Sequence, residues 1–123
     1  MTGEALLVAK HATFRQALAV VLEWHEGFTV AQAESLAEAY RVLRSLDAEP
    51  NLAVVDLELP GSDGVELIRE IHETWPHIPI LALTISRGPE LAARTKEAGA
   101  GEVLTVAASI EKLLEEVRRL GDI

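Results

Sequence analysis

Short apolar runs that alternate with stretches of helical spacing constrain this chain more than any other feature of it. Leu6-Leu7-Val8-Ala9, Phe28-Thr29-Val30-Ala31, Leu52-Ala53-Val54-Val55-Asp56, Ile78-Pro79-Ile80-Leu81-Ala82-Leu83-Thr84 and the brief Val103-Leu104 are all too short for buried helices. A strand that is apolar at nearly every position has both faces covered, as in a parallel sheet with helices on either side. Between the runs, apolar residues recur at helical spacing. They are Phe14, Ala17, Leu18, Val21 and Leu22, then Leu36, Ala39, Tyr40 and Leu43, then Val65, Ile68, Ile71 and Trp75, and finally Ile110, Leu113, Leu114 and Val117. Local punctuation agrees. Gly27 ends the first helix, Ser35-Leu36-Ala37-Glu38 has the capping-box spacing for the second, and Pro76 stops the third. Pro89 opens the fourth, Gly99 closes it, and Ser109 caps the fifth.

Five such strand-helix pairs with right-handed crossovers predict an α/β, flavodoxin-like (βα)5 three-layer sandwich, with a five-stranded parallel sheet in the order 2-1-3-4-5. No linker, repeat or low-complexity tract interrupts the pattern, so residues 1–123 are expected to form a single domain. In such a sheet a site sits at the C-terminal strand ends, beside the first and third strands. Those ends carry Ala9, Lys10, Asp56, Thr84, Thr105 and Val106.

Charge and composition exclude several classes of function. The net charge of −9 opposes binding to nucleic acid by this chain alone, and opposes an anionic membrane surface equally. There is no Cys, which removes thiolate and zinc-thiolate chemistry. No apolar run approaches the ~20 residues of a membrane-spanning helix, and the expected location is cytoplasmic. His11, His25, His72 and His77 form no i, i+4 pair, so no metal site is expected from them. Trp24 and Trp75 are expected to pack at helix ends.

The most specific signal is Asp56-x-x-x-Pro60-x-x-Asp63-Gly64 at the end of the third strand, with Thr84 closing the fourth and Ala98-Gly99-Ala100 before the fifth. In these residues the chain resembles the receiver domain of two-component response regulators along essentially its whole length. His11-x-x-Phe14-Arg15-x-x-Leu18 is similar to the subgroup of receivers joined to LuxR-like helix-turn-helix domains. The resemblance implies that Asp56 is the equivalent of the phosphoryl-accepting Asp and Thr84 of the switch residue. It also exposes two departures. The acidic pair that holds Mg²⁺ in receivers is replaced by Ala9 and Lys10, and the Lys that follows the fifth strand is replaced by Val106. Magnesium is gripped by several oxygens in near-octahedral geometry, and phosphoryl transfer needs metal and cationic clamps on the equatorial oxygens. No cofactor is therefore expected, with Mg²⁺ binding lost or weak.

Within that pocket Lys10 has two readings, an ammonium that takes the metal's place beside Asp56 or a solvated loop side chain. Glu58 is expected to point to solvent, with a repositioned metal ligand as the alternative. Thr84 has lost its usual aromatic partner on the fifth strand, where Val103 stands. The leading expectation is an atypical receiver, not an enzyme, that signals by protein contact. Its partner would be a histidine kinase, an effector domain or a second copy in a weak homodimer. The contact face would be built from the fourth helix, fifth strand and fifth helix, with Arg87, Glu90, Ala92, Arg94, Glu102 and Val103. A second expectation is the regulatory half of a LuxR-like DNA-binding regulator whose helix-turn-helix lies outside this chain, with Asp56 still phosphorylated. A third is a slow phosphoryl acceptor or a small-molecule binder in the same crevice.

Overall fold

The computed structural model describes residues 3–58, 64–85 and 88–121. Ten elements alternate along it: β1 (Glu4–Val8), α1 (Ala12–Glu26), β2 (Thr29–Ala33), α2 (Leu36–Ser45), β3 (Leu52–Asp56), α3 (Gly64–Thr74), β4 (Ile80–Thr84), α4 (Pro89–Ala98), β5 (Glu102–Thr105) and α5 (Ile110–Gly121). The strands form one five-stranded sheet in the order β2-β1-β3-β4-β5, with every pairing parallel.

Alternation along the strands divides the core into two layers, because successive side chains point to opposite faces. Leu6, Val8, Ala53, Val55, Ile80 and Ala82 pack under α2, α3 and α4, against residues such as Ala39, Ile68, Ile71 and Ala98. Ala5, Leu7, Leu52, Val54, Leu81 and Leu83 face α1 and α5, against Leu18, Leu22, Leu113 and Val117. β3 is buried along its whole length, as a central strand must be.

Most boundaries follow local chemistry. Gly27 adopts φ 74°, a left-handed conformation that ends α1 and suits glycine. The Glu38 N–H donates to Ser35 Oγ at 3.2 Å, while the Glu38 carboxylate accepts from the Glu34 N–H at 2.9 Å, one residue before the cap. The Lys112 N–H donates to Ser109 Oγ at 3.1 Å, capping α5. β4 begins at Ile80 and not at Ile78, because Pro79 brings no N–H to the ladder; its carbonyl still accepts from Ala53 N–H at 2.9 Å.

Three apolar side chains do not lie where the sequence suggests, and the first is Ala17, exposed while Ala19 takes a place in the buried stripe of α1. Trp24 is 83% exposed: α1 buries Leu18, Ala19 and Leu22, and Trp24 stands about 200° around the helix from Leu22. Ile110 is also exposed, because it sits in the first turn of α5 before the helix settles on the sheet. Trp75 does pack against the core, half-buried just beyond α3.

Gly64 opens α3 directly against the backbone that leaves β3. A Cβ there would lie 2.6 Å from Leu57 Cα and 2.9 Å from the Leu57 carbonyl oxygen. Ala is the better helix former by about 1 kcal/mol, but a clash with unyielding backbone costs about 1–3 kcal/mol. Gly64→Ala is therefore expected to be destabilising on balance, read as a lower urea midpoint at unchanged m-value. An unchanged or higher midpoint would show that the Leu57 turn can yield.

Candidate functional site

The parallel sheet brings the C-terminal ends of β1, β3, β4 and β5 to one edge. Asp56 is the last residue of β3 and only 6% exposed. Its strand continues for one more hydrogen bond, from Leu57 N–H to the Leu83 carbonyl at 2.8 Å, and then turns. The turn is made by Asp56 itself, whose Oδ1 accepts the Glu58 N–H at 2.9 Å. An Asp side chain bonding the amide two residues on is an Asx turn, which reverses the chain locally.

This turn folds Glu58 back over Asp56. The Glu58 carboxyl comes beside the Asp56 carboxyl, and its Oε2 is buried without a hydrogen-bond partner among the described residues. Burial foremost, then the neighbouring Asp56 carboxyl and its charge, raise the pKa of Glu58 above the ordinary 4.5; the amides of Ile85 and of Glu58 itself oppose the rise. Glu58 thus does not point to solvent as the sequence suggests.

A pocket of about 260 Å³ opens above the two carboxyls, lined by His11, Phe14, Asp56, Glu58, Ile85 and Val106. Thr84, 2% exposed, ends β4 beneath it, and its carbonyl accepts the Val106 N–H at 2.9 Å. That bond fixes the residue after β5 at the pocket wall. Among the wall residues, His11 and Phe14 stand out in the sequence only as parts of a motif. Ile85 gives no signal beyond its place after an apolar strand.

The ammonium of Lys10 does not replace a metal here. Lys10 is exposed and, among the described residues, forms no ion pair with Asp56. The loop after β1 is held instead by Arg15. Its Nη1 donates to the carbonyls of Ala9 at 2.9 Å and Lys10 at 3.3 Å, and its Nε donates to Gln32 Oε1 at 3.0 Å. Ala9 is fully buried, with its N–H bonded to the Ala33 carbonyl at 3.0 Å. No group of three or more His, Cys, Asp or Glu side chains among the described residues could hold a metal ion.

The face formed by α4, β5 and α5 carries an ion-pair network. Glu102 is bridged by Lys96 Nζ at 3.2 Å and Arg119 Nη2 at 3.7 Å; Glu116 is bridged by Arg119 Nε at 2.6 Å and Lys112 Nζ at 3.1 Å. Hydrogen bonds from Arg119 and Lys112 hold the Glu116 pKa below its usual value. Of the other residues named for this face, Glu90 and Arg94 are exposed, Ala92 is half-buried, and Val103 packs against the core. Arg87 lies outside the described residues, as do Pro60 and Asp63 of the motif after β3.

The family model for the response regulator receiver domain matches residues 5–118. The phosphate regulon transcriptional regulatory protein PhoB of Pseudomonas aeruginosa is 31% identical over 121 residues, covering 96% of this chain and 52% of that protein. The response regulator GacA of Pseudomonas protegens is 28% identical over 114 residues, covering 92% of this chain and 53% of its own. The chain thus spans about half the length of the curated relatives it matches. Among solved structures, a LuxR-family two-component response regulator from Aurantimonas sp. SI85-9A1 superposes with a TM-score of 0.90 at 29% identity, covering 99% of this chain and 86% of that one. No helix among the described residues is long and apolar enough to cross a membrane.

The raised pKa of Glu58 has a consequence for stability. The folded chain holds the Glu58 proton more tightly than the unfolded chain, so stability falls as pH rises from about 4.5 through the raised folded value. Glu58→Gln keeps a donor toward Asp56 without needing the proton. It is expected to raise the melting temperature at pH 7, with the gain vanishing below pH ~4, where Glu58 is protonated in both states. Thermal melts of both proteins across that range check it, and a pH-independent difference would count against the carboxyl pairing.

Proposed function

The chain belongs to the response regulator receiver family, and from that premise we propose that it is an atypical receiver, signalling through protein contact without Mg²⁺-dependent phosphorylation of Asp56. The observation that carries this reading is the setting of the buried Asp56, whose neighbours in the pocket are the Glu58 carboxyl, His11, Phe14, Ile85 and Val106, with no carboxylate supplied by the end of β1.

Magnesium requires near-octahedral oxygen ligands at short range and gives up its waters reluctantly. The donor set here is poor for it. β1 ends in a buried Ala9 and an exposed Lys10, Asp56 Oδ1 already accepts the Glu58 N–H, and Glu58 Oε2 is buried. The ion does not fit these residues. The phosphoryl chemistry suffers independently of the metal. Charge that develops on the transferring group must be met by cations or donors, and Val106 stands where receivers place a Lys. A phosphoryl group at Asp56 would also face the Glu58 carboxyl, adding repulsion instead of compensation.

Output then rests on contact surfaces. The α4-β5-α5 face, with Glu90, Ala92, Arg94, Glu102 and Val103, is the proposed surface for a histidine kinase, an effector domain or a second copy. A second reading is favoured by relatives named as transcriptional regulatory proteins, of which the matched segment is about half. In that reading the chain is the regulatory portion of a DNA-binding regulator, with the DNA contacts made elsewhere, since a net charge of −9 opposes them here.

Incubation with acetyl phosphate and Mg²⁺, followed by intact-mass measurement, is expected to show no phosphorylated species. Labelling at a substantial fraction of the protein would overturn the reading. Ala9→Asp, Lys10→Asp and Val106→Lys together are expected to restore labelling at Asp56, while Val106→Lys alone leaves the protein unlabelled, because a clamp without a metal leaves most of the charge unmet. Circular dichroism keeps failure to fold apart from failure to label, which matters because Ala9 is fully buried.

A further inference from the structure

A helix that packs on a sheet by one side turns a polar or charged line to water, and α1 does not. Leu18, Ala19 and Leu22 make its buried line. The opposite line carries Thr13, Ala17, Val20 and Trp24, all exposed, with Val20 at 51% and Trp24 at 83%. At about 100° per residue these four fall within about 60° of one another. Their spacings of 4, 3 and 4 residues are those of a coiled-coil seam, the narrow stripe through which one helix meets another. Half-buried Val21 widens one flank, and exposed Gln16 and Glu23 border the other. Single exposed apolar residues are ordinary, but a line of them ending on a tryptophan is the composition of a contact surface.

The order of sizes and charges along the line identifies the occupant. Two copies of α1 set antiparallel about a two-fold axis between Ala17 and Val20 oppose Thr13 to Trp24 and Ala17 to Val20, so every layer pairs a small side chain with a larger one. A parallel pair would stack tryptophan on tryptophan and alanine on alanine, crowding one layer and leaving another hollow. The ends agree in charge. Lys10, exposed and without an ion pair among the described residues, comes level with the last turn of the second α1, where Glu23 is exposed and has no ion pair among the described residues either. Glu26, the other acid of that turn, already holds Arg118 at 3.0 Å. The antiparallel sense also sets the positive end of each helix dipole beside the negative end of the other.

We propose that the outward line of α1 is a self-association surface, through which two copies of this chain pair antiparallel as a weak symmetric dimer. The line lies outside the α4-β5-α5 face, and the inference does not depend on the chemistry of Asp56. Four residues spanning about 16 Å of helix make a contact at or below the low end of specific interfaces, about 1,200 Å² in total. The net charge of −9 opposes association as well, so the pairing is weak, with a dissociation constant on the order of 0.1 mM.

Sedimentation equilibrium of the full chain from about 10 µM to about 1 mM tests this, with the weight-average mass expected to rise from that of one chain toward that of two. Trp24→Ala and Ala17→Glu, both at exposed positions, should each weaken association about tenfold or more while leaving the circular dichroism and melting temperature unchanged. Lys10→Glu and Glu23→Lys should each weaken it about threefold. The double variant restores opposite charges across the two-fold axis at unchanged net charge, and should return the affinity to within about twofold of the original. In a parallel pair the double variant still opposes like charges and rescues nothing. A chain that stays monomeric at about 1 mM overturns the proposal and leaves the line to a helix of a different protein. A dimer indifferent to Trp24→Ala and Ala17→Glu overturns it too, and moves self-association to the α4-β5-α5 face. Weakening by those two variants without the charge rescue overturns the antiparallel pairing.

Discussion

The carboxylate of Asp56, buried at the lip of a parallel sheet with no cation bonded to it among the described residues, is the constraint to which the rest of this edge answers. β3 is buried on both faces, so the strand cannot bend until it has left the sheet, and its last residue is the first that can carry charge. Asp56 uses one oxygen to turn the chain, accepting the Glu58 N–H, and that turn fixes where the next carboxyl goes. Two acids brought together in this way can be accommodated by a metal, by a cation from the chain or by a proton. The described residues supply no side-chain cation there, since Lys10 is exposed and Arg15 is engaged with the carbonyls of Ala9 and Lys10. A proton is the remaining way, and the upward shift of Glu58, caused by burial first and by the neighbouring Asp56 second, is in that direction.

Much of the fold is legible because period and punctuation agree at each step. β3 runs over Leu52–Asp56 as its apolar run indicates, Ser35 and Ser109 cap the helices they precede, and Pro89 occupies the first turn of α4. The sheet order follows from the alternation of buried runs with helices and from the handedness of crossovers. The less legible parts are those decided by a single side chain. Trp24 is large and apolar, which suggests packing, but the buried stripe of α1 is set by Leu18 and Leu22 and leaves Trp24 outside it. In the site, the least legible residue is Glu58, whose direction depends on the Asx turn and not on its own character. An acid two residues beyond a strand usually reaches water, and no periodicity marks the exception. The sequence offers a pairing partner for Asp56 in Lys10, by nearness in the fold and opposite charge, but Lys stems are long and the ammonium stays hydrated where water is within reach.

The ion network on α4, β5 and α5 obeys a different balance. Lys96, Glu102 and Arg119 come from three elements, so their pairing joins α4 to β5 and β5 to α5, while Lys112, Glu116 and Arg119 pair along one helix. Glu116 is buried, but the pairs of Glu102 are partly exposed, and pairs of that kind contribute about 0.2–1 kcal/mol each and are weakened by salt. They are enough to orient side chains on the face and too weak to lock it, so a partner that offers its own charges to Glu102 displaces Lys96 or Arg119 at small cost.

β5 joins these two regions. Glu102 at its start belongs to the network, and Val106 just past its end lines the pocket while its N–H holds the Thr84 carbonyl. The strand is only four residues long and pairs only with β4, which makes it the edge of the sheet beside the site. An edge strand held on one side by ladder bonds, and on the other by exchangeable ion pairs, has less to resist displacement than the buried β3. In an ordinary receiver this strand would carry the cationic clamp onto a phosphoryl group; with Val106 in that place, its link to the pocket is made by apolar contact and one backbone bond. Movement at this edge must therefore be driven by what touches Val106 and Ile85 from the mouth of the pocket or Glu102 from the face, because the described residues offer no charged group between them on β5 for a phosphoryl oxygen to pull.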